Sequence, residues 1–381
     1  MKKIFVSTPT FTGGSWVCVE DLLNQIKDDY KVLVTGFGSP RMLPGIEYKK
    51  IPYYSFEKID PRIGRNIFFN FLFQLPIQLF NLFYFTISRP NLLISNGFTS
   101  LILILPIAKL FRVPVVVYYG SYLTEWFKNR YVRKIVKFGC KFVTFVFVNS
   151  LGSKEDLYPV ISEEKILVID HWTDFEPLPE STRDMLRSEM GLDPKDVVVL
   201  FVGRFIKEKG VATLLKVIDH AKNTQNLKFW FVGDGVMMPD VQGAVEANYN
   251  VKYLGFIKER KKLIEMYSIA DILWTFADET YLAKPAIESL ALGTPIMVPN
   301  ISGVTEKFNL HVKIRQDLVP PNIGWLVDND LPDSVSDMLA QIVQNKQILA
   351  HMRSQCIDYA NKKYSSQNIK SGVEIIKNLI R

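Results

Sequence analysis

The stretch from Val197 to Gly210, VVVLFVGRFIKEKG, limits the fold of this chain more than any other. Val197 to Val202 form a continuous β-branched, aliphatic and aromatic run, as a parallel strand covered on both faces requires. Val211 to Lys222 then read as a helix, so Arg204 and Lys209 fall in a strand-to-helix loop. In open α/β sheets such loops line the crevice at the carboxyl ends of the strands, where ligands bind. Two cations there suit a diphosphate; a merely solvated loop is the competing reading, since charged side chains are mostly exposed.

A second element weighs against the solvated loop. Thr280 to Val298, TYLAKPAIESLALGTPIMV, reads as a loop, a short helix opened by Pro285 and closed by Gly293, and a strand from Pro295. Backbone N–H groups around Tyr281 to Lys284 then point out of a helix N-terminus, which attracts anions. Glu288 lies one turn inside, on the face set by Pro285.

On these residues the chain resembles the retaining glycosyltransferases of the GT-B fold, and is similar to family 4, whose pattern is a G-R-x-x-x-x-K-G loop followed by a Glu, seven residues, Glu motif. The resemblance implies an α/β chain of two Rossmann-like doubly wound domains facing a central cleft, with a C-terminal helix crossing back to the first domain. It implies that Arg204 and Lys209 clamp the nucleotide diphosphate and act as the catalytic cations. Gly203 and the amides of Tyr281, Leu282, Ala283 and Lys284 would hold phosphate and sugar, Glu288 the ribose hydroxyls, and the backbone near Phe256 and Ile257 the base. TPTFTGGSWVCVEDLL resembles the family's glycine loop and first helix, with Gly13 and Gly14 allowing close backbone approach to a phosphate or sugar. SRPNLLISNG, VPVVVYYGSYL, FVNSLGSKEDL, FWFVGDG and GWLVD follow in the family's order.

The sequence departs from that pattern in two places. Eight residues before Glu288 stands Thr280, while a carboxylate, Glu279, stands one position earlier; either the loop is shifted by one residue or Thr280 replaces the acid. Where the family often places a His near the donor sugar, this chain reads Tyr118, Tyr119, Gly120 and Ser121. Tyr119 can hydrogen-bond a sugar hydroxyl, but its high reference pKa makes it a poor proton shuttle.

A chain of 381 residues exceeds the usual single domain. The boundary is expected in HWTDFEPLPEST, where prolines and acids interrupt the hydrophobic pattern. This gives an acceptor-binding domain over 1–172 with the tail 367–381, and a nucleotide-sugar domain over 173–366. The three cysteines are far apart in hydrophobic elements and read as buried thiols in a reducing compartment. The four histidines show no ligand spacing. The N-terminal apolar run is too brief for a signal peptide, so a cytoplasmic protein is expected.

Residues 1–172 hold 21 Lys and Arg against 13 Asp and Glu, whereas the remainder holds 25 against 26. An anionic partner is therefore expected at the first domain, but not a nucleic acid. In WFKNRYVRKIVKFGCKF, Arg130, Arg133, Lys134, Lys137 and Lys141 share one helical face and aromatics the other, a candidate contact for an anionic membrane surface; an ordinary domain helix has the same pattern. Asn66 to Ser88 has no charged residue, yet Asn70, Gln74, Gln78 and Asn81 form a polar stripe and Pro76 interrupts it, which favours an in-plane or partly buried helix over a span.

These readings predict a peripheral enzyme on the inner face of the cell membrane. It would move a sugar from a nucleotide diphosphate sugar to a lipid-linked or membrane-proximal glycan acceptor with retention, by front-face displacement and without a catalytic metal or other cofactor. The rivals are a soluble sugar or glucan synthase, a nucleotide-sugar epimerase on the same fold, and a non-catalytic nucleotide-sugar-binding protein.

Overall fold

A computed structural model describes the chain apart from residues 11–13, 39–41, 52–66, 99–100, 102, 120–133, 135–136, 159, 276–281, 301–318 and 329–330. It forms two compact units, Met1–Asp170 with Asn368–Arg381, and His171–Gln367. Each is built on a wholly parallel sheet.

The first sheet comprises β1 (Lys3–Thr10), β2 (Lys31–Phe37), β3 (Ile46–Lys50), β4 (Leu92–Asn96), β5 (Val115–Tyr119), β6 (Phe145–Val148) and β7 (Ile166–Val168), in the order β3-β2-β1-β4-β5-β6-β7. The order reverses between β1 and β4, which makes their carboxyl ends the switch point of a doubly wound unit. The helix Gln367–Ile380 completes this unit. A Cβ on its Gly372 would lie 2.7 Å from Ile169 Cδ1, so the helix backbone sits directly on the sheet's flank. Lys377 pairs with Asp29 at 2.7 Å on the outer side.

The second sheet comprises β8 (Val197–Arg204), β9 (Leu227–Asp234), β10 (Val251–Tyr253), β11 (Ile272–Trp274), β12 (Ile296–Pro299) and β13 (Gly324–Val327), in the order β10-β9-β8-β11-β12-β13. Alternate residues of β8 enter different clusters. Val198 and Leu200 pack with Trp230, Leu273 and Ile296, whereas Val197, Val199 and Phe201 pack with Phe229, Phe231 and Trp274. Burial on both faces is why the strand reads as an unbroken apolar run.

The amino edge of this sheet is closed by buried charge. Arg183 and Arg187, on the helix Glu180–Glu189, donate to opposite oxygens of Asp271 at 2.8 Å each. Asp271 also accepts from the Val198 amide at 2.9 Å. A carboxylate this fully hydrogen-bonded can be held out of water, whereas removing one partner would strand a charge.

One expectation from the sequence meets the structure directly. Cys18, Cys140 and Cys356 are buried free thiols, and burial pushes Cys140 and Cys356 up to about 12. Among the described residues, no helix is long and apolar enough to cross a membrane.

Candidate functional site

The switch point of the second sheet lies between β8 and β11, and the elements leaving those two strands build the site. The β8 loop is fixed by the residue after Arg204. Phe205 is wholly buried, with ring centroids 5.8 Å from Phe201, 5.9 Å from Phe231 and 6.0 Å from Tyr253. Its backbone donates to Asp234 O at 2.8 Å and accepts from Met237 N at 2.9 Å. With Phe205 pinned inside, Arg204 is turned out; its backbone carbonyl accepts from Ile206 N at 2.9 Å, and its exposed side chain makes no hydrogen bond or ion pair among the described residues.

Glycine makes the approach of neighbouring strands possible here. Gly203 pairs with Gly233, and a Cβ on Gly233 would stand 1.8 Å from Gly203 O, which no side chain could tolerate. Past the 3-10 turn Lys207–Lys209, Gly210 begins the helix Val211–Ala221 with φ +76. A Cβ on Gly210 would meet Pro299 Cγ at 3.0 Å and Trp274 Nε1 at 3.3 Å. The buried Trp274 indole donates to Gly210 O at 3.2 Å, tying the Lys209–Gly210 corner to the end of β11. Lys209 itself is half-buried.

After β11 the chain re-enters the described residues at Leu282, which is buried in the core, and Ala283 caps the helix Lys284–Ala291. Glu288 is half-buried and accepts from the Tyr267 hydroxyl at 3.1 Å. Burial, and then the adjacent Glu288 carboxylate, push Tyr267 well above the usual phenol range, so it remains a donor. Lys284 donates to Trp172 O at 2.7 Å and stands 5.3 Å over its ring. Neighbouring His171 is buried and held down at about 3, by desolvation first and by Lys284 second, so it is neutral at physiological pH. Arg204 and Lys209 thus follow β8 on one side of the switch point, and the helix Lys284–Ala291, which carries Glu288, follows β11 on the other.

Residues 182–363 match the family of group 1 glycosyl transferases.

An uncharacterized glycosyltransferase of Methanocaldococcus jannaschii is similar to the chain, 26% identical over 199 residues, which are 49% of this chain and 51% of that protein. The D-inositol 3-phosphate glycosyltransferase of Rhodococcus opacus is similar at 26% over 188 residues, 47% of this chain and 40% of the relative. The chain thus spans about half the length, or less, of the curated relatives it matches. The fold is that of the GT-B glycosyltransferases. The crystal structure of HepE from Anabaena, in complex with UDP and glucose, is similar over 99% of each chain, with a TM-score of 0.73 at 18% identity.

Within the segment that matches that family, Phe256 is exposed and Ile257 packs on the core, both just past β10. Glu279, Thr280 and Tyr281 lie outside the described residues, as do Gly13, Gly120, Ser121, Arg130 and Arg133. In the first unit Gly14 begins the helix Gly14–Asn24 and Tyr119 ends β5, buried. Lys134, Lys137 and Lys141 are exposed. Among the described residues no cluster of His, Cys, Asp and Glu is placed to hold a metal ion.

Phe205, Trp274, Tyr267 and the Trp172 carbonyl are not marked out by the sequence pattern. Each reads there as core or linker, and only the fold shows it bracing a loop, a carboxylate or a lysine. The aromatic immediately after Arg204 is the one available signal, because an apolar residue inside a polar loop must be anchored.

Proposed function

We propose that the protein is a glycosyltransferase that transfers a sugar from a nucleoside diphosphate sugar, with retention, to a lipid-linked or membrane-proximal glycan acceptor. One observation carries the reading: Arg204, its exposed side chain unpaired among the described residues, follows β8 at the second switch point on a loop anchored by buried Phe205, with Lys209 in the same loop and the helix Lys284–Ala291 following β11. An uncompensated cation at that position can stabilise the charge that develops on a departing diphosphate. HepE, similar in fold, binds UDP and glucose, which favours uridine as the base.

In this reading the diphosphate lies across Arg204, Lys209 and the amides at Ala283 and Lys284, and Glu288 accepts from the ribose hydroxyls. The leaving diphosphate itself takes the proton of the incoming hydroxyl on the same face, so the sugar keeps its configuration and no protein nucleophile is needed. Tyr267 fixes the Glu288 carboxylate through its hydroxyl, and Trp274 fixes the corner carrying Lys209. Acceptor binding is assigned to the first unit, whose core buries Tyr119.

The test is release of UDP from a panel of UDP-sugars by the full chain, with and without a lipid extract as acceptor source. Extract-dependent release, with the sugar recovered in the organic phase, is the expected result. Donor binding without any turnover on the panel would instead support the non-catalytic reading.

A further inference from the structure

The helix Ile67–Ser88 is turned inside out. It carries no charged residue over its 22 positions. On a water-facing helix its polar residues would point outward, yet Gln78 and Asn81 are fully buried. Gln78 Oε1 accepts from the Leu103 amide at 3.0 Å, and Asn81 Nδ2 donates to Ser7 Oγ at 2.9 Å. Inward polar groups fix the opposite face, which is apolar: Leu79, Phe83 and Ile87, four residues apart, are 52%, 59% and 56% exposed. The polar residue between them, Thr86, donates its hydroxyl to Leu82 O at 2.7 Å, so it presents no unmet donor outward. A core helix would have hidden these three side chains, and a solvated helix would have replaced them.

The stripe continues beyond this helix. The helix Ile104–Leu110 packs alongside it and exposes Leu110 at its end, followed by exposed Phe111. Gly139, whose Cβ would lie 3.4 Å from Leu105 Cδ1, brings exposed Phe138 to the same layer. Exposed cations are interleaved with these aromatics: Lys109, which stands 4.8 Å over the Phe142 ring, Arg112, Lys137 and Lys141.

We infer that this helical layer of the first unit is a docking surface for an anionic phospholipid bilayer, with Leu79, Phe83 and Ile87 seated among the acyl chains and the lysines at headgroup level. Charge complementarity selects the occupant. Residues 1–170 hold 21 Lys and Arg against 13 Asp and Glu, so a second copy of the chain laid face to face would set like charges together, whereas anionic lipid neutralises them. In-plane helices with an apolar face and flanking cations bind membranes in this way. The surface deepens the lipid-linked acceptor reading, on which its biological use rests, although the binding itself does not depend on catalysis. It also shifts the expected source of affinity from the basic stretch alone to an inserted apolar stripe.

The experiment is flotation of the full chain with vesicles of phosphatidylglycerol and phosphatidylcholine, and with phosphatidylcholine alone, at low and high salt. The wild type should float with the anionic vesicles. Leu79→Ser, Phe83→Ser and Ile87→Ser together should cut partitioning at least about tenfold, since each removes apolar surface from the acyl region. A Phe83→Trp variant should gain fluorescence quenching by brominated lipids over the wild type, which reads insertion without removing the stripe. Wild type that stays unbound at low salt, a triple variant that floats as before, a Phe83→Trp variant whose added indole is not quenched, or a dimer dispersed by the triple variant would each overturn the proposal. A UDP thermal shift on the same samples separates this outcome from the glycosyltransferase reading, which would survive if UDP still raised the melting temperature.

Discussion

The two sheets share one strand order around their switch points, yet their carboxyl edges are chemically opposite. At the first, between β1 and β4, the described polar residues that end the strands are uncharged: Asn96 Nδ2 donates to Thr8 Oγ1 at 3.1 Å, and Asn81 Nδ2 to Ser7 Oγ at 2.9 Å. At the second, Arg204 is exposed, and Lys209 and Glu288 are half-buried. A doubly wound unit thus provides a crevice but not its chemistry; the residues ending two strands decide whether charge or hydroxyl groups are met there. In the proposed function the charged edge is the one that takes the diphosphate.

The largest effect should come from the glycine contact found at the second edge. Gly233→Ala places a methyl 1.8 Å from Gly203 O, so β8 and β9 must separate where the Arg204 loop begins. A loss of about 3 kcal/mol or more is expected in chemical denaturation, from strain plus overpacking. A variant of wild-type stability would mean that the close strand approach is not required.

Next, Arg204→Ala and Lys209→Ala should each lower turnover on the order of 100-fold with the fold intact, the scale of losing one preorganised donor at a developing charge. Asn96→Ala at the first edge should leave donor affinity unchanged. Equal effects at the two edges would abolish the contrast between them.

Acid should weaken the fold through His171. Its folded value of about 3 lies below the ordinary 6.5, so between these the unfolded chain takes up a proton that the folded chain refuses. Stability from this group is complete above about pH 6.5 and falls, by up to about 1.4 kcal/mol per unit, as the pH drops toward 3. His171→Asn should flatten that part of the urea-midpoint profile; an unchanged slope would remove His171 as its source.

The smallest effect should be at Glu288. Glu288→Gln should weaken UDP binding several-fold, because an amide accepts from ribose hydroxyls less strongly than a carboxylate. Tyr267→Phe should weaken it less, since it removes only the 3.1 Å brace on that carboxylate. A larger loss from Tyr267→Phe would move the ribose contact from the carboxylate to the phenol.

The second edge is the more legible of the two in the sequence. A strand buried on both faces announces itself as the unbroken run of β8, and the glycines and cations after it are chemically distinctive. Trp274 is hidden because an indole in an apolar strand looks like core; its bond to Gly210 O joins residues 64 apart in the chain. The helix Ile67–Ser88 shows a different limit. Periodicity reveals its polar stripe at Gln78 and Asn81 but not that this stripe faces inward, which depends on Ser7 and the Leu103 amide being there to meet it. The choice between Glu279 and Thr280 falls on residues that the structure does not describe.

The most direct test of the charged edge is calorimetric titration of UDP into the full chain and into the Arg204→Ala, Lys209→Ala double variant, alongside Asn96→Ala. The wild type and Asn96→Ala should bind with the same Kd, and the double variant should lose at least about 100-fold, since two charge-assisted contacts to the diphosphate are removed. A double variant that binds UDP like the wild type would contradict this expectation.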